Sequence, residues 1–371
     1  MMITDPIGIY IHVPICVRKC NYCDFCSFPK ESFGRRSEYV DALCSEIRSY
    51  KNRGLSVDSI FFGGGTPSLL SRAEITQISS ALKDTFFFST DTEFTLEANP
   101  LTLDEEKLLL FSGIGVNRLS LGLQSIHKKE LKTLGRIHGY DDFLSVYHMA
   151  RKMGIHNINV DLMYGIPEQT ITSFVETLNT VLSLSPEHIS VYGLILEEGT
   201  DFYRRRDALH FPSVDEECDM YYSACNLLNK FGYSHYEISN YAKPGFESRH
   251  NLKYWQRREY IGFGVSAHSY LDGFRFANSV VVDEYIDSIG RTHSLLTEDD
   301  LRIEYIMLSL RLSSGISLSE YYKLFGKYFL KDNQSFLDRL SGEGLVRIFE
   351  DAIALTERGF YVSNSIIAEL I

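Results

Sequence analysis

Four cysteines fall within eleven positions of the segment CVRKCNYCDFCSF, residues 16 to 28: Cys16, Cys20, Cys23 and Cys26. Thiolates this close together hold metal. Structural zinc takes a closed set of four ligands, and an iron–sulfur cluster is usually held by four cysteines as well. Three ligands leave one iron open to a substrate or cofactor, whereas four close the cluster. Zinc ribbons normally pair two knuckles, and this chain has only one. Its other cysteines, Cys44, Cys218 and Cys225, stand singly in helix-like segments, as small buried hydrophobes do. The only nearby histidine is His12. The spacing therefore favours iron–sulfur over zinc.

Two further stretches could do chemistry. Gly63-Gly64-Gly65-Thr66-Pro67 exposes backbone groups where side chains would block a ligand's approach. No Lys-Ser/Thr follows, so it is not a phosphate loop; a sharp strand–helix turn is the alternative. HNLKYW, residues 250 to 255, offers the His250 imidazole beside Tyr254 and Trp255, the single tryptophan. By themselves these residues fit better a loop histidine beside aromatics that simply pack. His268, in GFGVSAHSY, is a second histidine of this kind.

The elements that must position these residues alternate. Strands are predicted at 8–13, 56–62, 93–98, 117–123, 156–165 and 188–196 from short β-branched and aromatic runs. Helical spacing lies between them: from Ser37 through Ile47, over Tyr140–Met153 and over Ile171–Leu184. Ser71 with Glu74, and Thr102 with Glu105, both have the pattern of a capping box. This alternation implies parallel βαβ units, as an open sheet, a doubly wound sheet or a partial barrel. In such sheets ligands gather at strand C-termini. The cysteines follow strand one, the glycines follow strand two, Glu97 ends strand three, Gln124 ends strand four, and Asp161 lies near the end of strand five.

After residue 232 the periodicity weakens and aromatics increase. A helical pattern resumes at Glu298 (Leu301, Tyr305, Leu308, Leu312), followed by a helix near 333–342 and the hairpin-like GLVRIFEDAIALT. This order resembles a winged helix. The division expected is 1–232, 233–295 and 296–371. The formal net charge of −12 argues against phosphate neutralisation of nucleic acid. Residues 296–371 carry 8 Lys/Arg against 12 Asp/Glu, so the winged-helix-like part suits packing or partner contact instead of DNA. No apolar run approaches the ~20 residues of a membrane span. MMITDPIGIY lacks the basic and apolar regions of a signal peptide. A cytoplasmic protein is expected.

Taken together, YIHVPIC, FFGGGTPSLL, EANP, RLSLGLQS, GRIH, NVDLMYGIPEQT and HNLKYW resemble the radical S-adenosylmethionine (SAM) superfamily over essentially the whole chain. The resemblance implies α/β architecture, a partial (β/α)6 barrel with a C-terminal, mainly helical, winged-helix-like domain. It implies a [4Fe-4S] cluster on Cys16, Cys20 and Cys23, with SAM on the remaining iron and Cys26 as a non-ligand. Tyr10 would pack on that unit, and Gly64, Gly65 and Thr66 would meet the methionine end of SAM. Glu97, Gln124, Arg136 and Asp161 would contact its amino, carboxylate or ribose groups. The nearest branch holds the oxygen-independent coproporphyrinogen III dehydrogenase and a paralogous family of heme chaperones. The dehydrogenase carries its extra cysteine two residues after the third, and Cys26 here is one position further. It also has an N-terminal extension, whereas this chain reaches Tyr10 almost at once. HNLKYW matches the HNxxYW motif associated with heme in the chaperones, which implies heme at His250, Tyr254 and Trp255. The implied partners are heme and an acceptor hemoprotein, respiratory and membrane-associated, to which a chaperone would pass it. No catalytic residue is implied.

Overall fold

A computed structural model describes residues 5–288 and 290–371. Residues 1–4, part of the segment judged not to be a signal peptide, lie outside the described residues. Six strands form the centre: β1 (Ile7–Val13), β2 (Ser56–Gly64), β3 (Phe87–Ala98), β4 (Arg118–Gln124), β5 (Asn157–Tyr164) and β6 (His188–Gly193). Each pairs in parallel with the next in sequence. With right-handed crossovers, an order that never reverses puts every connecting helix on the same side. The sheet therefore curls into a partial barrel and has no switch point of the doubly wound kind.

Strand alternation builds two different faces. On β4 and β5, Leu119, Leu121, Leu123, Ile158, Val160 and Leu162 are wholly buried. They pack in one core with Ile75 and Ile78 of the helix Arg72–Thr85, Phe143 of the helix Tyr140–Lys152, and Phe174 and Leu178 of the helix Ile171–Leu184. The alternate positions, Arg118, Ser120, Gly122, Gln124, Asn159 and Asp161, line the barrel interior. That interior is polar, which explains why β4 alternates where a strand buried on both faces usually reads as continuous apolar sequence.

The weakly periodic region contributes strands. Further along, Tyr260–Phe263 pairs in parallel with β1, and His268–Leu271, Phe274–Asn278 and Arg291–Leu295 continue antiparallel from it. At the opposite end Asn240–Ala242 and Ser234–Glu237 add to β6. These strands are three to five residues long with turns between, too short for an alternation to register. Beyond them stand helices Glu298–Ser309, Leu318–Phe325 and Gln334–Gly342 and a small sheet in which Val346–Ile348 pairs with Ala352–Leu355. Among the described residues no helix is long and apolar enough to cross a membrane.

Two local expectations need correction. Ser71 does form a capping box with Glu74, but Thr102 does not cap the next helix. Asp104 caps it, accepting from the Lys107 N–H, while the Thr102 hydroxyl donates to the Asn99 carbonyl. Pro100 sets a short 3-10 turn over Pro100–Thr102, and this delays the helix to Glu105–Ile114. Cys44 and Cys225 are buried small residues, whereas Cys218 is only half-buried near the start of the helix Val214–Lys230.

Candidate functional site

The cysteine segment is a loop with tied ends. Ile15–Cys16 pairs with Phe28–Pro29, so residues 16 and 29 lie one strand spacing apart, about 4.8 Å. Asn21 fastens the middle: its Nδ2 donates to the Thr133 carbonyl at 2.8 Å and its N–H to that of Leu134 at 3.0 Å. Between these ties Cys16, Cys20 and Cys23 face a cavity of about 550 Å³ at the strand C-termini. Among the described residues no three His, Cys, Asp or Glu side chains converge as a single metal ion requires. Cys26 is not on the cavity wall; its thiol points to the Val280 carbonyl at 3.7 Å.

The barrel supports this loop through His12. Its Nε2 lies 2.8 Å from the Cys26 carbonyl, which can only accept, so Nε2 carries the proton. Burial lowers the His12 pKa to about 4, so the ring is neutral. Its Nδ1 then accepts from the Tyr10 hydroxyl at 2.9 Å. The Tyr10 proton is thereby turned toward His12; Tyr10 lines the cavity, and among the described residues no group donates to its phenol oxygen.

The glycines follow from the same packing. Gly64 has φ +100°, and a Cβ there would penetrate the His12 ring. A Cβ on Gly65 would lie 2.6 Å from the Val13 carbonyl and 2.7 Å from that of Ile15. The N–H groups of Gly65 and Thr66 donate to these two carbonyls at 2.8 Å. Gly64 and Gly65 line the cavity; Thr66 is buried beneath it. The Thr66 hydroxyl donates to Cys16 Sγ at 3.6 Å and accepts from Asn99 Nδ2 at 2.9 Å.

Glu97, Gln124, Arg136 and Asp161 all reach the cavity. Burial pushes the Glu97 carboxyl up to about 8, the Asp161 charge adds to the rise, and the Gly64 N–H at 3.2 Å opposes it. Burial also raises Asp161, against hydrogen bonds from Asn159 Nδ2 at 2.8 Å and Ser120 Oγ at 3.2 Å. Gln124 ends β4 in a left-handed conformation, φ +70°. Arg136 donates to Asn99 Oδ1 and, at 2.9 Å, to the Tyr22 hydroxyl, yet its buried Nε has no acceptor.

Glu97 gives the cavity a pH signature. Between its ordinary 4.5 and about 8 the folded protein retains a proton that the unfolded chain has released. Stability therefore falls as pH rises through that window, with a limiting slope of about 1.4 kcal/mol per pH unit for one proton. Glu97→Gln is expected to flatten the fall in urea midpoint from pH 5 to pH 8. An unchanged slope would assign the proton elsewhere.

The helix Arg249–Trp255 closes one side of the cavity. Its first turn is held by Glu93, which accepts from the N–H groups of Arg249 and His250 at 3.1 Å each. His250 and Tyr254, one turn apart, face the cavity. His250 is wholly buried and stacks on Phe61 at 5.4 Å. Ser59 Oγ lies 3.0 Å from its Nδ1 and the Tyr254 hydroxyl 2.7 Å from its Nε2. Burial lowers its pKa to about 3, with the Lys253 charge adding to the effect. Trp255 does not line the cavity: its ring lies under the Arg311 guanidinium at 5.8 Å. His268 is exposed on its strand and does not line the cavity either.

Sequence reasoning missed Tyr22, Asn99, Arg118, Asn159 and His188, all on the cavity wall. A signal existed for Arg118. It is the first inward position of the series 118, 120, 122, 124, a charge where the barrel closes.

Comparison with known proteins connects this geometry to a family. The description "Radical SAM superfamily" matches residues 10–181, and "HemN C-terminal domain" matches residues 296–362. The "Heme chaperone HemW" of Bacillus subtilis (strain 168) is 38% identical over 369 residues, which cover 96% of this chain and 97% of that protein. The chain belongs to the HemW family of the radical SAM superfamily. The HemW of Escherichia coli (strain K12) is also 38% identical, over 72% of this chain and 71% of its own length. Among solved structures, Escherichia coli coproporphyrinogen III oxidase (HemN), described as a radical SAM enzyme, has TM-score 0.85 and 25% identity. The match covers 98% of this chain and 90% of that one.

Proposed function

We propose that this protein is a heme chaperone that holds a [4Fe-4S] cluster and SAM and passes heme to a hemoprotein. The observation that carries the reading is near-full-length similarity to a heme chaperone, combined with three thiols facing a cavity walled by suitable groups. Cys16, Cys20 and Cys23 would hold the cluster; separate thiols that do not converge on one ion suit a cluster in which each binds its own iron. Cys26, turned toward Val280, would remain a non-ligand.

The remaining wall fits SAM. Tyr10 would pack against it with a bare phenol oxygen. Gly64 and Gly65 allow close approach, and Thr66 would support the site from below through Cys16 Sγ. The unpartnered Arg136 Nε supports a carboxylate ligand. Glu97 would face the amino group, giving up its proton as the cation arrives. Gln124 and Asp161 offer acceptors to ribose hydroxyls. When bound, SAM on a reduced cluster supplies one-electron chemistry.

For heme, His250 and Tyr254 stand at the cavity wall, with Trp255 behind them. Coordination by His250 Nε2 would first require release of the Tyr254 hydroxyl, which makes that bond a latch on the ligand. A cytoplasmic location agrees with seven free cysteines. The acceptor would be a respiratory, membrane-associated hemoprotein.

The test is an anaerobic heme titration by absorbance with and without the cluster. Saturable heme binding is expected, weakened about tenfold or more in His250→Ala, the order of loss when a buried charged or ligating contact is removed. Consumption of coproporphyrinogen with CO2 release and no heme bound would make the protein a dehydrogenase instead.

A further inference from the structure

Arg118, the first residue of β4, lines the floor of the cavity with its side chain 2% exposed. One long hydrogen bond holds it, from Nη1 to Thr95 Oγ1 at 3.4 Å, and its Nε has no acceptor. Among the described residues no carboxylate oxygen comes within 4.0 Å of the guanidinium. Glu97 and Asp161 line the same cavity one and two inward steps higher, at the levels of Ser120 and Gly122.

The neighbours offer Arg118 nothing further. Asn159 Nδ2 is committed to Ser120 Oγ and Asp161 Oδ1 at 2.8 Å each. His188 is fixed between Asn159 Oδ1 at 2.6 Å and the Tyr236 hydroxyl at 2.8 Å. A buried guanidinium with most of its donors idle is costly to fold. It is tolerated where a ligand supplies the missing acceptor.

We propose that Arg118 anchors a carboxylate of the porphyrin cargo at the barrel floor. The proposal rests on the heme reading above. One cation with two carboxyl groups nearby suits a monoanion better than a phosphate dianion, and the planar fork matches a carboxylate. Arg118 stands six residues below Gln124, roughly 20 Å along the strand at ~3.3 Å per residue. A ligand that reaches it spans the cavity from mouth to floor. Arg136, beside the cysteine loop, is left to the carboxylate of SAM.

The test uses cluster-loaded full-length protein titrated with heme and with heme dimethyl ester, whose acids are blocked. Wild type is expected to prefer heme about tenfold or more, the usual worth of a charged hydrogen bond. Arg118→Met should lose that preference while binding the ester as wild type does. Its thermal midpoint should not fall, because an unpaired buried charge has been removed. Should the methionine variant fail to fold, Arg118→Lys, which keeps the charge without the fork, is expected to retain only part of the preference. Equal binding of both porphyrins by wild type overturns the anchor and leaves the chaperone reading intact. So does a variant that keeps the preference, or one that loses SAM affinity alone. Failure of wild type to bind either porphyrin overturns both.

Discussion

Alanine at Cys16, Cys20 or Cys23, one at a time, is expected to leave the anaerobically reconstituted protein with about a tenth or less of its iron, because a cluster on two protein thiolates is poorly held. Cys26→Ser should keep its full iron and sulfide content. The contrast comes from how the loop is tied. The pairing of Ile15–Cys16 with Phe28–Pro29 and the Asn21 contacts aim three thiols into the cavity, whereas the Cys26 thiol leaves it toward Val280. What Cys26 contributes to the loop is its carbonyl, the acceptor for His12, and serine preserves that. Iron and sulfide assays alongside the visible spectrum decide the matter. A Cys26→Ser protein as empty as the other three would mean that the fourth cysteine belongs to the set.

Alanine at Gly64 or Gly65 is expected to lower the unfolding free energy by about 2–5 kcal/mol, from left-handed strain or overpacking or both. The two positions fail for different reasons. At Gly64 the backbone has φ +100°, and the new methyl would displace the His12 ring from Tyr10 and Cys26. At Gly65 the obstacles are the Val13 and Ile15 carbonyls, main-chain atoms that cannot rotate aside. Both substitutions therefore strain the strand that delivers Cys16. Urea midpoints at unchanged slope measure the loss. Stability within ~0.5 kcal/mol of wild type, the range of an ordinary surface change, would show that the turn relaxes freely.

Much of this was legible in the residues. The six barrel strands appear where β-branched runs stand, with four of the twelve ends exact and the others one to six residues off, because each is six residues or longer and bounded by turns. Ile171–Leu184 matches its expected helix end to end. Ser71 and Glu74 signalled their capping box, yet the same spacing at Thr102 and Glu105 misled, because Pro100 had already committed the backbone to a tight turn. The strands between 234 and 278 were hidden because pairing partners distant in sequence, not local alternation, stabilise them. The inward polar groups were half visible: Glu97, Gln124 and Asp161 sit at or near strand ends, but Arg118 sits at a strand start, where parallel-barrel reasoning does not look. Trp255 shows the limit of a motif. Its neighbours His250 and Tyr254 share one face of the helix, while the next residue turns toward Arg311.

The pairing of β1 on both sides has a consequence for biosynthesis. One flank is taken by β2, but the other is taken by Tyr260–Phe263, some 250 residues later. At ~5–20 residues per second of translation, the cysteine loop leaves the ribosome tens of seconds before that second flank exists. Until then Val13, whose carbonyl receives the Gly65 N–H, ends a strand with one row of backbone groups unsatisfied. The strand that leads into the cysteine loop is therefore complete on both sides only late in the synthesis of the chain, while the ties of the loop itself, to Phe28–Pro29 and to Thr133 and Leu134, are available much earlier.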